Sequence, residues 1–329
     1  MSRRKPRRGL VLGAGGVLGA AWAVGALCAL EEVHGFDPRD ADVIIGTSAG
    51  SVLSALLGAG VSATQLRDHQ RGIPVTSGPL AGYSWDYERA TARRPGVPKW
   101  LAPGSGRLLR SSARRLRHMP PTAVLSGFLP QGSQSLERVG HLVDAITPMD
   151  EWSPHPNLWI CAMDYHTGKR VAFGKEGAPP ASLAHAVMSS CAIPAWFKPV
   201  EIDGHQYVDG GACSATSADL LASMDLDEVY VIAPMASFAM DRPEHVIAKL
   251  ERRWRVQVTK RCLREVEKVR ANGADVVVLG PGPEDLEAIG ANMMDVSRRM
   301  AVLETSCRTS IEALRDPDHV GPDHLAEVG

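Results

Sequence analysis

The sequence has little net charge, no internal repeat and no closely spaced cysteine pair. Its 329 residues carry 36 basic and 37 acidic side chains, a net charge of −1, so no overall positive field favours a nucleic-acid partner. The six cysteines are scattered without a CxxC pair, which argues against a zinc site or a disulfide framework and suits a reducing compartment. We therefore expect a cytoplasmic protein with no metal and no cofactor.

Charge is also missing from the first apolar stretch. Residues 9–30 contain no charged side chain and follow a basic start, a pattern shared by signal peptides and membrane anchors. Six glycines lie within these 22 residues and cluster after a short apolar run. This clustering favours a buried strand, a glycine loop and a buried helix over a cleaved or spanning segment. No other stretch of the sequence reads as transmembrane.

Acidic residues are absent from residues 89–135, although nine residues there are Lys or Arg. Pro, Gly and Ser are frequent across residues 71–134, which predicts a long insertion of the kind that forms lids or binding loops. Within it, residues 107–117 predict a short basic helix. Residues 89–117 would suit peripheral contact with an anionic membrane, and a solvated surface is the alternative.

The most informative motif is Gly46-Thr47-Ser48-Ala49-Gly50. An apolar β-branched run precedes it and a small-residue helical pattern follows, which is the sequence form of a nucleophile elbow. Ser48 would lie at the apex of the turn, and Gly46 and Gly50 would avoid collisions with the neighbouring strand and helix. A tight turn that only needs small residues gives the same pattern, so the motif alone does not establish catalysis.

A glycine loop from Gly13 to Gly19 precedes the first helix and has two functional interpretations. A dinucleotide fingerprint would use Glu31 or Glu32 to bind ribose, but these acids lie on the helix rather than after the second strand. An oxyanion hole would instead use consecutive backbone N–H groups. The candidate donors are Gly15, Gly16 and Val17. The elbow in the next β-α unit favours the oxyanion hole, because both loops lie at carboxyl ends of neighbouring strands.

Asp209 is the second candidate for chemistry. It ends the strand predicted over residues 205–208, and Gly210 and Gly211 after it leave the backbone free to lie against another loop. Asp209 could therefore act directly as general base for Ser48. An Asx turn or a helix N-cap is the structural alternative.

The remaining pattern predicts strands alternating with helices, which implies a parallel sheet covered by helices. Strands are predicted over residues 9–12, 42–45, 157–163, 169–173, 229–233 and 275–279, and helices over residues 20–33, 49–57, 180–190, 243–271 and 292–314. The helix over residues 243–271 is amphipathic. Its predicted apolar face comprises Val246, Leu250, Trp254, Val258, Cys262, Val266 and Val269.

Together, the glycine loop, the elbow and the Asp-Gly-Gly block resemble the patatin-like phospholipase family. The block Ser189-Ser190-Cys191-Ala192-Ile193-Pro194 also resembles the stretch ahead of the family's base, and the resemblance covers roughly residues 8–280. It implies an α/β three-layer sandwich with a mostly parallel central sheet. We expect one catalytic domain over residues 8–315, with the insertion at 71–134 and tails at 1–7 and 316–329.

The resemblance further implies a serine acyl hydrolase of the phospholipase A type, which cleaves carboxylic esters of lipids. A Ser48–Asp209 dyad would replace the usual triad, with the amides of Gly15, Gly16 and Val17 holding the oxyanion. Because Asp is a weak base, its pKa must be tuned by partial burial. Leu18 departs from the family pattern, which usually has Arg or Lys before the last glycine of the loop, and this bears on substrate preference.

Two alternatives remain open. A histidine-triad esterase or acyltransferase would need a His after the Asp, and His245, His319 and His324 are available by order. None of the three follows a strand end of the sort that suits a triad. A non-catalytic member would bind lipid or nucleotide through the glycine loop or the basic insertion.

Overall fold

An eight-stranded sheet runs through the chain, and helices cover both of its faces. The computed structural model describes residues 4–85, 104–115, 119–148, 150–241, 243 and 245–316, with the backbone alone for residues 111–115. The strands are β1 (Arg8–Leu12), β2 (Val43–Thr47), β3 (Leu158–Asp164), β4 (Arg170–Phe173), β5 (Val200–Ile202), β6 (His205–Asp209), β7 (Glu228–Ile232) and β8 (Asp275–Leu279). The order is β5-β6-β3-β2-β1-β7-β8, with β4 paired to β3.

The sheet is mixed. Strands β3, β2, β1, β7 and β8 pair in parallel, whereas β4 and β6 pair antiparallel with β3, and β5 antiparallel with β6. The parallel part is covered by helices in the manner expected of β-α units. The fold class predicted from the sequence is therefore confirmed, with an antiparallel edge.

Ten α-helices lie within the described residues. They are α1 (Gly16–His34), α2 (Ala49–Gly58), α3 (Ala63–Gln70), α4 (Gly106–Arg115), α5 (Pro121–Phe128), α6 (Glu137–Ile146), α7 (Leu183–Cys191), α8 (Val246–Arg270), α9 (Pro283–Ile289) and α10 (Arg299–Arg315). The sequence pattern did not predict α3, α5, α6 or α9. Helix α4 begins and ends close to the predicted basic helix, and α10 begins seven residues later than predicted.

Alternating side chains of the sheet pack into two separate clusters. Leu10 and Leu12 of β1 pack with α1 and its neighbours, whereas Val11 packs with the second half of α8. Helix α1 is long and apolar enough to cross a membrane by length and composition alone, and 61% of that stretch is buried inside the fold. Such burial is what a core helix requires.

Although β3 stands between β2 and β6 in this pairing order, both pair with the same edge of β3, β2 with residues 158–161 and β6 with residues 162–164. Thr47 pairs with Cys161 and Asp209 pairs with the next residue, Ala162. The opposite edge of β3 is occupied by β4, where Ala162 pairs with Val171. The end of β2 and the end of β6 are thereby brought together along β3.

Helix α8 differs from the predicted amphipathic pattern. Cys262, Val266 and Val269 are buried as expected, but Val246, Leu250 and Trp254 are exposed. Arg252 and Arg255 are buried in the first half of the helix instead. The predicted face is therefore wrong for that half, because buried acceptors satisfy the arginines there.

The domain boundaries predicted from the sequence stay predictions. Residues 1–3 and 317–329 of the predicted tails lie outside the described residues, as do residues 86–103 and 116–118 of the predicted insertion. The side chains of Arg114, Arg115 and Arg117 lie outside them as well.

Candidate active site

Ser48 lies on the turn between β2 and α2, with φ 53° and ψ −123°. A non-glycine residue at positive φ costs about 1–3 kcal/mol, so the turn stores strain at this residue. A Cβ at Gly50 would collide with the carbonyl group of Leu12, and one at Gly46 would lie 2.6 Å from the Cα of Ser51. Close packing against β1 and α2 therefore requires glycine on both sides of Ser48.

The backbone of Ser48 is fixed by α7. Its amide donates to the Oγ of Ser190 at 2.8 Å, and the Ser190 hydroxyl donates to the carbonyl of Cys161 at 2.6 Å. The Cys191 thiol donates to the Ser48 carbonyl at 3.3 Å. Ser190 thus ties the elbow to β3, a role that sequence reasoning did not assign, although the Ser-Ser-Cys block was the available signal.

Asp209 lies beside Ser48 at the end of β6. Its Oδ1 accepts the Gly211 amide at 2.7 Å, and its own amide donates to the Ala192 carbonyl at 3.0 Å. Burial raises the pKa of Asp209 from 3.8 to about 6, while hydrogen bonding to the Ser48 side chain and the Gly211 amide lowers it. A Cβ at Gly210 would collide with the Cys161 carbonyl, which explains the glycine after Asp209.

The glycine loop is anchored by its outer amides. Gly13 donates to Ile232 at 2.9 Å, Ala14 to Ala215 at 2.8 Å and Gly19 to Gly15 at 2.8 Å. Gly16 adopts φ 58°, and a Cβ there would lie 2.9 Å from the sulfur of Met294.

The inner amides of the loop differ from these outer ones. Within the described part of the chain, the N–H groups of Gly15, Gly16 and Val17 donate to no backbone or side-chain acceptor. The first N–H groups of a helix lack intrahelical partners, so they are available to an anion.

Leu18, the departure from the family pattern, is fully buried. Its side chain packs in the core cluster of α1, and its amide donates to the Met293 carbonyl at 3.0 Å. A basic side chain at this position would lose its hydration, which is costly without a partner.

An apolar cavity of about 150 Å³ opens at Ser48. Gly16 and Val17 line it beside the serine, and α2, α3 and α6 form its walls. The walls include Leu53, Leu56, Leu66, Val139, Leu142 and Phe197. The sequence did not indicate this cavity, because α3 and α6 were not predicted.

The other candidates from the sequence lie elsewhere. His245 precedes α8, is exposed and does not line the cavity, and His319 and His324 lie outside the described residues. Glu31 and Glu32 lie in the last turns of α1, at the opposite end from the glycine loop. Of these candidates, none that the structure describes lines the cavity at Ser48.

One cluster in the described ranges could hold a metal ion. Asp164, His166 and His205 each place a ligand atom within 4.8 Å of the others. Oδ1 of Asp164 already accepts the amides of His166 at 2.8 Å and Thr167 at 2.9 Å. These residues lie at the end of β3 and the start of β6 and do not line the cavity at Ser48.

A sequence profile described as patatin-like phospholipase matches residues 10–222, well over half of the chain. The chain belongs to this family of lipid acyl hydrolases, which confirms the resemblance predicted from the three motifs. The family acts on lipid substrates. Among curated proteins, none matches the chain in sequence.

Two solved structures are similar in outline. VipD from Legionella pneumophila has 13% sequence identity and a TM-score of 0.42, covering 94% of this chain and 67% of its own. The type III effector protein ExoU has 15% identity and a TM-score of 0.35, covering 98% of this chain and 53% of its own. The chain thus spans about half the length of ExoU, and at these TM-scores neither likeness carries an argument about mechanism.

Proposed function

We propose that the protein is a serine acyl hydrolase that cleaves carboxylic esters of lipids through a Ser48–Asp209 dyad. The observation that carries the proposal is the meeting of β2 and β6 along β3, which puts the strained serine and the buried carboxyl side by side. The apolar cavity begins at the same serine. A nucleophile, a base and an apolar cavity therefore converge on one point.

In the first step, the Asp209 carboxylate accepts the proton of the Ser48 hydroxyl while the Ser48 Oγ attacks the ester carbonyl carbon. The pKa of about 6 suits this role, because Asp209 is ionised at neutral pH yet more basic than an exposed aspartate. The tetrahedral intermediate then collapses, and the protonated Asp209 returns its proton to the departing alcohol oxygen. Water attacks the acyl-serine by the same route and releases the fatty acid.

The amides of Gly15, Gly16 and Val17 are the proposed oxyanion donors. They lie at the N-terminus of α1 and carry no other hydrogen bond within the described ranges. Preorganised donors of this kind are worth about 10²–10³-fold in kcat each. The positive end of the α1 dipole adds to their effect.

The apolar cavity is the proposed site for the acyl chain. Its walls carry leucine, valine and phenylalanine side chains, which match an alkyl chain and leave the ester at Ser48. Burial of the chain excludes water from the reacting groups, which strengthens the electrostatic contribution of the oxyanion donors.

The test is the intact mass of the protein after exposure to a fluorophosphonate, for the wild type, Ser48→Ala and Asp209→Asn. We expect one adduct on the wild type, none on Ser48→Ala and slow labelling of Asp209→Asn. Labelling of Ser48→Ala at the wild-type rate would place the nucleophile elsewhere. Rapid labelling of Asp209→Asn would remove Asp209 as the base and direct attention to a histidine.

A further inference from the structure

Helix α8 has an exposed apolar stripe on its first half, which we call the α8 stripe: Val246, Ile247, Leu250 and Trp254. These side chains are 79%, 74%, 67% and 43% exposed. Contiguous exposed apolar side chains of this size mark interaction surfaces. Nothing in the proposed chemistry uses them.

The stripe faces outward because the opposite side of the helix is held inward by arginines. The guanidinium of Arg252 donates to Asp241 at 2.5 and 2.9 Å and to the Leu286 carbonyl at 2.9 Å. Arg255 donates to Glu251 at 2.6 Å and to the Pro234 carbonyl at 2.6 Å. At roughly 100° per residue, Leu250 lies opposite this pair, so the buried arginines keep the stripe facing outward.

The stripe also lies at the catalytic end of the sheet. Helix α8 has 25 residues, about 37 Å, whereas β7 and β8 have five residues each, about 17 Å. Because α8 follows β7 and leads back to β8, its first half extends past the carboxyl ends of the strands, where Ser48 lies. Arg255 contacts the sulfur of Met293 at 3.4 Å, and the next residue, Met294, lines the cavity.

The charges around the stripe are almost all positive. Between residues 246 and 255 the sequence has four Lys or Arg and one acidic residue, Glu251, which is paired with Arg252 and Arg255. Lys249 and Arg253, which lie beside the stripe, are exposed. An apolar stripe flanked by cations is complementary to an anionic lipid surface, where each cation adds about 1 kcal/mol.

We propose that the first half of α8 docks the protein on an anionic phospholipid bilayer and brings the entrance of the cavity to the lipid. The purpose of this docking rests on the proposed function, since the cavity would then receive its acyl chain from the bilayer. Binding itself requires no turnover. The stripe contains none of residues 89–117, the basic segment that the sequence indicated as a membrane contact.

The test is co-sedimentation of the full chain with vesicles of phosphatidylcholine alone and of phosphatidylcholine with about 30% phosphatidylglycerol. Wild type and Ser48→Ala should bind the anionic vesicles equally, and at least tenfold more strongly than the neutral ones. Ile247→Gln with Leu250→Gln should lower binding at least tenfold, and Lys249→Glu with Arg253→Glu should do the same.

Two matched controls separate this surface from bulk effects. Arg264→Glu with Lys268→Glu makes the same change of charge further along α8, and Leu125→Gln with Phe128→Gln removes two comparably exposed apolar side chains from α5. Both pairs should keep binding within twofold of wild type. Equal losses in a control pair, or no binding to anionic vesicles, would overturn the proposal.

A protein partner would give a different result. If the stripe were an interface with a second copy, the mass in solution measured by light scattering would fall for Ile247→Gln with Leu250→Gln, and vesicle binding would not change. Hydrolysis of a short, water-soluble ester is measured in parallel. If Ile247→Gln with Leu250→Gln loses vesicle binding but still hydrolyses the soluble ester, the docking role is supported. If the wild type binds vesicles but does not hydrolyse the ester, the result contradicts the proposed dyad and leaves the docking role standing.

Discussion

The Oγ of Ser190 accepts the backbone amide of Ser48 at 2.8 Å, so a residue of α7 fixes the backbone of the strained turn. The same hydroxyl donates to Cys161 on β3. The buried side chain of Ser190 therefore connects the turn that carries Ser48 to β3, the strand with which β6 pairs. The position of the Ser48 hydroxyl relative to Asp209 depends on this connection.

Ser190→Ala should therefore lower kcat more than it raises KM. The buried amide of Ser48 would lose its partner, at a cost of about 1–3 kcal/mol in the free energy of unfolding. Ser189→Ala is the matched control, because within the described structure the Ser189 hydroxyl is buried without a hydrogen-bond partner. Because that control removes an unsatisfied buried hydroxyl, it should not lower stability and should leave kcat unchanged. Equal effects of the two substitutions would contradict a positioning role for Ser190.

The pH dependence of hydrolysis should report Asp209. Only the ionised carboxylate accepts the serine proton, and its pKa is about 6. For a neutral ester, kcat/KM should fall about tenfold per pH unit well below pH 6 and level off above it. The measurement is a profile of kcat/KM from pH 4.5 to 8. A profile that stays flat down to pH 4.5 would contradict the raised pKa of Asp209.

Asp209 should also lower stability at neutral pH. Its native pKa is raised above the unfolded value of 3.8, so the native state binds the proton more tightly. The stability this gives is present below pH 3.8 and is lost as the pH rises through about 6, a difference of about 3 kcal/mol. Asp209→Asn should therefore unfold at higher denaturant concentration than wild type at pH 7.5. A less stable Asn variant at that pH would contradict this reasoning.

Gly50→Ala should destabilise the fold strongly. The added Cβ would collide with the backbone carbonyl of Leu12, and neither β1 nor α2 can move without disturbing the sheet. We expect a loss of about 3 kcal/mol or more in chemical denaturation, comparable to overpacking of a core. Gly106→Ala is the control, because its Cβ would meet open space at the start of α4. A Gly50→Ala variant as stable as this control would show that the turn is less tightly packed.

Enlarging a wall of the cavity should change the preference for acyl-chain length. Val139 is half-buried on α6 and lines the cavity, so Val139→Phe reduces the space for the chain. The ratio of kcat/KM for a long-chain ester to that for a short one should fall about tenfold, since each excluded methylene costs about 0.8 kcal/mol. Val124→Phe, on α5 and outside this cavity, should leave the ratio unchanged. If Val124→Phe lowered the ratio as much as Val139→Phe, the cavity would not be the acyl site.

Much of the site's location could be predicted from the sequence. The elbow, the glycine loop and Asp209 each follow a short apolar strand, and small residues at fixed spacing mark turns that must pack closely. Such patterns are local, so they are visible without coordinates. The family could be identified from their order along the chain.

The rest of the site depends on contacts between distant segments. Ser190 lies in the Ser-Ser-Cys block, but its importance lies in a hydrogen bond to Ser48 that only the packing of α7 creates. The first half of α8 reads as a core face, yet Arg252 and Arg255 occupy the interior because the carbonyls of Leu286 and Pro234 accept from them. Backbone acceptors of this kind leave no trace in the composition of a helix.

The shared edge of β3 has a consequence for the kinetics of folding. Ser48 and Asp209 are about half the chain apart, and they meet only after both β2 and β6 have paired with a strand that lies between them in sequence. Contacts of such long sequence separation form slowly. After dilution from denaturant, the helical signal should therefore return first, and the reactivity of the serine should recover with a measurable delay.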